Sequence, residues 1–246
     1  SMDGGKSFKH MGLKESRQVG GIVVDPRNSD VVFVAAEGSV WGPGGERGLY
    51  KSTDGGESWN KVLDISEHTG VNNVVMDPEN PDVLYATSEQ RRRHVFTKIG
   101  GGPESAVYKS TDNGETWRKI MKGLPGGHIG GMGIAVSPVD NNVVYLIVEA
   151  AEGTGGFFRS TDRGESWQKM SDHHSSGQYY NEIFCDPVDV NKVYSVETRS
   201  KVTLDAGKTW NNLRSEQFKY QKIYSVDISG ERILAGTDSS VFLSDD

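Results

Sequence analysis

Short apolar, β-branched runs recur along the chain, each closed by a polar residue and usually a proline, then followed by a second apolar run. Ile22-Val-Val-Asp25-Pro26 leads to Asp30-Val-Val-Phe33-Val34, and Val74-Val-Met-Asp77-Pro78 leads to Asp82-Val-Leu-Tyr85. Ile134-Ala-Val-Ser137-Pro138 precedes Val143-Val-Tyr145, and Ile183-Phe-Cys-Asp186-Pro187 precedes Val193-Tyr194. A fifth version is Tyr224-Ser-Val-Asp227-Ile228 with Arg232-Ile-Leu-Ala235. Runs of this length and composition predict buried strands. The proline fixes φ in the turn between them, and the Asp or Ser before it can bond its own backbone.

A second phrase alternates with the first. It reads Ser52-Thr-Asp54-Gly-Gly56-Glu-Ser58-Trp59, Ser110-Thr-Asp112-Asn-Gly114-Glu-Thr116-Trp117 and Ser160-Thr-Asp162-Arg-Gly164-Glu-Ser166-Trp167, with a looser copy at Thr203-Leu-Asp205-Ala-Gly207-Lys-Thr209-Trp210. The Asp carboxylate is placed to accept hydrogen bonds from free N–H groups of a hairpin, the glycines permit positive φ, and the Trp folds back over the turn. Asp54, Trp59, Asp112, Trp117, Asp162, Trp167, Asp205 and Trp210 are therefore expected to be structural staples. A brace repeated on every unit cannot converge on one substrate.

Together the two phrases define a unit of four strands: A (as at 21–25), B (31–36), C (48–53) and D (58–63), with the second phrase as the C–D turn. Four-stranded units repeated radially are blades, so the fold expected is all-β, a five-bladed β-propeller of four-stranded antiparallel blades with Asp-box turns. One domain spans residues 1–246, with blades at about 17–63, 72–121, 131–170, 181–213 and 222–246 plus 7–12. The last blade assignment rests on Asp3-Gly-Gly5-Lys-Ser7-Phe8, which reads as the second half of a phrase begun at Ser244. An N-terminal strand at 7–12 would then close the ring and remove its free edge.

Composition narrows the function classes. A formal charge of -7 over 246 residues argues against nucleic acid as a partner. No apolar run approaches a membrane span, so no insertion is expected. Cys185 is the single cysteine, which rules out an internal disulfide, and its neighbours Ile183 and Phe184 suggest a buried, inert thiol. The chain opens inside a repeat and Ser1-Met2 reads as a vector remnant, so upstream sequence is expected and the lack of a signal peptide is uninformative. Neither a metal nor a cofactor is expected: His173-His174 beside Asp172 lacks ligand spacing.

Candidate binding residues follow from loop length. The A–B and C–D turns are uniformly short, whereas long connections fall in the B–C and D–A set on the opposite face, where binding residues usually collect. These loops carry Trp41, Arg47, Arg91, Arg92, Arg93, His94, His128, Tyr179 and Tyr180. The arginine run could clamp a carboxylate, sulfate or phosphate, or simply pair with Glu89 and Glu104. Trp41 before Gly-Pro-Gly-Gly could offer an exposed platform for a sugar or peptide; of the two tyrosines, one ring is expected between blades and the other toward the channel.

The Ser-x-Asp-x-Gly-x-Thr/Ser-Trp phrase resembles the Asp-box of the bacterial neuraminidase repeat. With Arg47-Gly-Leu-Tyr-Lys-Ser-Thr-Asp-Gly-Gly, Gln90-Arg-Arg-Arg-His94, Gly101-Gly-Pro and Gly155-Gly-Phe-Phe-Arg-Ser-Thr-Asp-Arg-Gly, residues 3–210 are similar to bacterial "glycosyl hydrolase, BNR repeat" proteins related to the sortilin-type propeller. The resemblance implies an extracytoplasmic propeller that mainly binds peptides or proteins, whose hydrolase label rests on a structural motif. Relatives of that type have more blades, so five is a departure: either the chain is a self-sufficient small ring and a monomer, or it is half of a larger ring that two chains might complete as a homodimer. A sialidase would need three converging arginines and a Tyr–Glu pair. Arg47, Arg91, Arg199, Tyr180 and Glu182 exist, but the Arg-Ile-Pro segment does not and the blade order differs. The reading is a non-catalytic propeller binding a peptide, protein or carbohydrate on the B–C/D–A face. The alternatives are a glycosidase acting in the central pocket and a structural fragment of a larger secreted protein.

Overall fold

The computed structural model describes residues 1–174, 181–196, 200–213, 223–229, 232–237 and 241–244. Strands β1 (Val19–Val24), β2 (Val32–Ala36), β3 (Gly48–Ser52) and β4 (Asn60–Leu63) form a first antiparallel sheet in chain order. A second holds β5 (Thr69–Met76), β6 (Leu84–His94), β8 (Val107–Ser110) and β9 (Arg118–Lys119), with β7 (Thr97–Gly100) paired to the far end of β6. A third contains β10 (Ile129–Val136), β11 (Val144–Ala150), β12 (Gly156–Ser160) and β13 (Gln168–Ser171). The fourth contains β14 (Glu182–Cys185), β15 (Val193–Val196), β16 (Lys201–Thr203) and β17 (Asn211–Asn212). β18 (Ile223–Ser229), β19 (Arg232–Thr237) and β20 (Val241–Ser244) make a last, three-stranded sheet. The first strands of successive sheets pack side by side, β1 on β5, β5 on β10, β10 on β14 and β14 on β18.

Both recurring phrases do what their chemistry predicts. Asp77 Oδ1 accepts the N–H groups of Glu79 (2.9 Å) and Asn80 (3.1 Å), and Ser137 and Asp186 cap their turns in the same way. In the Asp-box, Ser52 Oγ accepts from Gly56 N–H (2.8 Å) and donates to Asp54 Oδ1 (2.8 Å), while Asp54 accepts from the Ser58 N–H (2.9 Å) and hydroxyl (2.5 Å). Asp112 and Asp205 repeat this set, and the donated bonds hold all three carboxylates near about 2. The first left-handed position is occupied by Gly55, Asn113, Arg163 and Ala206, so a side chain is tolerated there. The second is always glycine. A Cβ at Gly114 (φ +80°) would lie 2.5 Å from Phe33 of the preceding sheet.

The tryptophans split into two kinds. Trp117 and Trp210 donate to their own turns at Gly114 and Gly207, as expected. Trp59 and Trp167 instead donate to carbonyls of the preceding segment, Met11 (2.6 Å) and Ile120 (2.9 Å). Buried lysines tie the sheets further: Lys51 Nζ donates to Asn113 O (2.8 Å) and Glu115 (2.6 Å), and Lys109 Nζ to Arg163 O (2.8 Å) and Glu165 (2.9 Å). Among the described residues, three apolar cores lie between consecutive sheets, centred on Phe33 and Leu84, on Tyr85 and Leu146, and on Tyr145 and Phe157.

The expected closure by residues 7–12 is not formed. Those residues carry no strand, and the last sheet has three strands among the described residues. Ser1 supplies the hydroxyl assigned above to the chain's tail, so Ser1–Phe8 folds a complete Asp-box alone. Ser1 Oγ donates to Asp3 (2.9 Å) and accepts from Gly5 N–H (2.7 Å), and Asp3 accepts from the Ser7 N–H (2.9 Å) and hydroxyl (2.7 Å). The following residues run along the first sheet's turn, held by the Trp59 indole and by Lys9–Glu57 at 2.8 Å. Val19, Ile22 and Val24 of β1 stay exposed.

Candidate functional site

The B–C and D–A connections assemble one decorated face. Its most prominent feature is the β6–β7 hairpin, which the sequence reading treated as loop. Arg91 pairs with Gly100, Arg92 with Ile99, Arg93 with Lys98 and His94 with Thr97, so β6 runs well past its own sheet. The tip carries His94, Val95 and Phe96, all exposed. Arg93 N–H donates to Val40 O (2.8 Å), which couples the hairpin to the 37–47 loop.

That loop is organised by Arg47, and here the expectation of a ligand contact fails. Arg47 is 2 % exposed. Its Nε donates to Gly44 O (2.8 Å), Nη1 to Glu37 O (2.7 Å), and Nη2 to Gly42 O (2.5 Å) and Ser39 O. A glycine-rich loop has few internal partners for its carbonyls, and one guanidinium gathers four of them. Trp41, inside the braced loop, remains 63 % exposed.

The rest of the arginine run divides. Arg91 is mostly buried, donating to Glu37 and to Gln18 (2.9 Å), with Glu89 at 3.7 Å. Arg92 Nη2 lies 3.0 Å from His68 Nδ1. Arg92, His68, Gln90, Ile99 and His128 line a pocket of about 310 Å³, whose floor includes Gly101 and Gly102. Glu104, offered above as a partner for the arginines, accepts instead from Ser66 (2.6 Å) and Thr69, and those bonds hold its carboxyl below the usual range. Tyr179, Tyr180 and Arg199 lie outside the described residues. His173 stacks on Trp210 with ring centroids 4.1 Å apart, and burial pulls it down to about 4. Among the described residues no cluster of three or more His, Cys, Asp or Glu converges as metal ligands would.

A second cavity, of about 730 Å³, is walled by the first strands of four sheets, including Ile22, Val74, Ile134 and Ile183. Glu182 stands in this largely apolar lining with Asn73 Nδ2 at 3.5 Å, and burial pushes its carboxyl up. Near β10, Glu89 and Glu149 each place Oε2 3.8 Å and 2.7–3.8 Å from the points that Cβ atoms on Gly131 and Gly130 would occupy, and Asn181 Nδ2 lies 2.7 Å from the Gly131 point. Asn181 is buried and its Oδ1 has no partner. Burial beside Glu149 pushes Glu89 up to about 7. The sequence reading weighed Glu182 beside Tyr180 and Glu89 as a partner of the arginines but gave Glu149 and Asn181 no role, although Glu37, Glu89 and Glu149 all stand at the same count from the start of strand B, a signal that aligning the repeats exposes.

A family model described as sortilin, neurotensin receptor 3 (Sortilin-Vps10) matches residues 105–236, just over half of the chain, and a BNR/Asp-box repeat model matches residues 50–61. Among curated proteins, the xyloglucanase Xgh74A of Acetivibrio thermocellus is 30 % identical over 143 residues, covering 54 % of this chain and 15 % of its own length. A xyloglucanase of Hypocrea jecorina is 28 % identical over 186 residues, covering 70 % and 20 %. The chain thus spans no more than a fifth of these relatives. Among solved structures, an ancestral GH74 enzyme superposes with a TM-score of 0.60 at 21 % identity, over 93 % of this chain and 28 % of that one. The GH74 xyloglucanase of Xanthomonas campestris gives 0.61 at 16 % identity, over 89 % and 34 %. At these identities the two structures establish the shared fold alone. With sheets of four antiparallel strands, Asp-box turns and a family match across half its length, the chain belongs to the Sortilin-Vps10 family.

Proposed function

We propose that this chain is an extracytoplasmic propeller module, its five sheets acting as successive blades, that binds a polysaccharide on the face built by the 37–47 loop and the β6–β7 hairpin. The observation that carries the reading is Trp41: a large aromatic ring left in solvent on a loop whose backbone is fixed by Arg47. A pre-organised ring stacks on the C–H face of a sugar without ordering cost at the moment of binding. The xyloglucanase relatives favour carbohydrate over peptide or protein as the ligand class. The test is calorimetric titration with soluble xyloglucan and mixed-linkage glucan against the parent and Trp41→Ala. Binding by the parent and a loss of about tenfold or more in the variant are expected. A folded variant with undiminished affinity removes this face from consideration. Pairing of two chains into a larger ring is the alternative arrangement, and light scattering separates it from a monomer.

A second reading is favoured by the Glu89–Glu149 pair: hydrolysis of a glycosidic bond, with Glu89 protonated near neutrality as the acid and Glu149 as the base. Release of reducing ends from xyloglucan, abolished by either Glu→Gln change, supports it. No turnover by the parent ends it.

A further inference from the structure

We propose that the pocket bounded by Arg92, His68 and His128 is an anion subsite that takes the carboxylate or sulfate of an acidic polysaccharide. This rests on the glycan reading above and names the class of sugar that the same face selects.

The chain as a whole is acidic, with a formal charge of -7, yet no carboxylate lines this pocket. The acidic groups around it are directed at groups other than Arg92. Glu37 takes Arg91, Glu104 takes two hydroxyls, and Glu67 lies 3.5 Å from His68 Nε2 on the solvent side. Among the described residues no carboxylate pairs with Arg92, whose Nη2 meets the His68 ring instead. A guanidinium can only donate, so Nδ1 of His68 is the acceptor and the proton of the neutral ring sits on Nε2. One Arg92 nitrogen is therefore spent on orientation, and the rest of the fork is left for a ligand. Its Nη1 stands 3.9 Å from the point a Gly42 Cβ would occupy, beside the Trp41 loop. The Arg92 charge also bears on buried Arg47, which is held below its ordinary value first by burial and then by this neighbour. A ligand anion on the open side of Arg92 would meet a guanidinium that no carboxylate among the described residues pairs. The forked donor geometry suits the planar carboxylate of a uronic acid and also accepts a sulfate ester. A sugar stacked on Trp41 would place a neighbouring residue's acidic group within reach of this fork.

The full chain is titrated with polygalacturonate, dextran sulfate, xyloglucan and unmodified dextran in 0.15 M salt, using the parent, Arg92→Gln and, as a surface-charge control, Lys208→Gln. Circular dichroism and urea unfolding establish that each variant is folded. An acidic polymer should bind at least fivefold more tightly than its neutral counterpart, and raising the salt should erode that preference. Arg92→Gln should cut the acidic-to-neutral affinity ratio at least fivefold, while Lys208→Gln leaves the ratio alone. Preference for polygalacturonate identifies the carboxylate as the source, and preference for dextran sulfate the sulfate. Equal affinity for acidic and neutral polymers overturns the subsite and leaves glycan binding standing. Equal effects of the two substitutions also overturn it, because the attraction would then be diffuse. Binding of none of the four polymers fails both readings together.

Discussion

Glu89 offers the sharpest test of how this fold manages buried charge. The residue is 8 % exposed, stands beside Glu149, and is held up to about 7 from an ordinary value of 4.5. Lys98 pulls in the other direction, and Arg91 stands 3.7 Å away but directs Nη2 at Glu37 and Gln18. Between about pH 4.5 and 7 the folded chain therefore keeps a proton that the unfolded chain has released. Stability contributed by this group is complete below about 4.5 and is lost as the pH rises through about 7. The separation of those two values corresponds to about 3 kcal/mol at the upper limit. Glu89→Gln keeps the shape and the hydrogen-bonding capacity while removing the ionisation. Urea unfolding of parent and variant should be run from pH 4 to 8.5, comparing midpoints at equal m-values. The two proteins should coincide near pH 4, and the variant should become about 1–3 kcal/mol more stable by pH 8. Carboxylates held near about 2, such as Asp25 and Asp112, titrate below this window and are common to both proteins. A variant less stable at pH 8, or a difference that ignores pH, would show that Glu89 is ionised and paired with Arg91, and the argument would be refuted.

Three further outcomes follow from local geometry. Ser110→Ala strips the acceptor from the Gly114 N–H in a buried turn, and should cost about 1–3 kcal/mol in urea unfolding. Gly114→Ala forces a side chain into a φ of +80° and against Phe33, so it should cost at least about 2 kcal/mol, whereas Asn113→Ala next to it should cost less, since Ala206 already occupies the equivalent place. Cys185, first by burial and then by Asp186, is pushed up to about 12, so at pH 8 its thiolate should react about a thousandfold more slowly with a disulfide reagent than an ordinary cysteine, the full rate appearing on denaturation.

The parts of this molecule that were legible in the sequence are those where local chemistry is self-contained. An Asp before proline caps its own turn, and Ser, Asp and Ser eight residues or fewer apart close an Asp-box without help from elsewhere; the strand limits and the braces follow directly. The same self-containment misled at the N-terminus, where Ser1 completes a turn that had been given to the chain's far end. Residues whose role depends on distant partners were harder. Arg47 looked like a ligand contact because its partners are backbone carbonyls, which carry no signature in composition, although a Gly-Pro-Gly-Gly run beside a lone arginine is a warning that carbonyls need a donor. The β6–β7 hairpin was hidden by charge: Arg91, Arg92 and Arg93 read as solvated loop, and only the register against Gly100, Ile99 and Lys98 makes them strand.

The three glutamates that follow strand B carry this argument to the site itself. Glu37, Glu89 and Glu149 occupy one repeat position, yet their neighbours assign them different states. Glu37 faces the Arg91 guanidinium and is neutralised by it, Glu89 is buried enough to retain a proton near neutrality, and Glu149 is half-buried, with Oε2 3.3 Å from the Gly131 N–H. Arg91 exists because the second unit extends β6, and Gly131 leaves room for Glu149 because the third unit lacks a side chain there. Repetition thus builds the scaffold, and departures from repetition distribute the charge. An acidic mouth over β10 lies close to a carboxylate-free pocket lined by Arg92, and each came from a place where one unit's loop differs from the next. Replacing residues 91–100, the β6–β7 extension, with a minimal turn should therefore leave the β5–β6 register through Gln90 intact while removing the Arg92 pocket and leaving Glu37 without its cation.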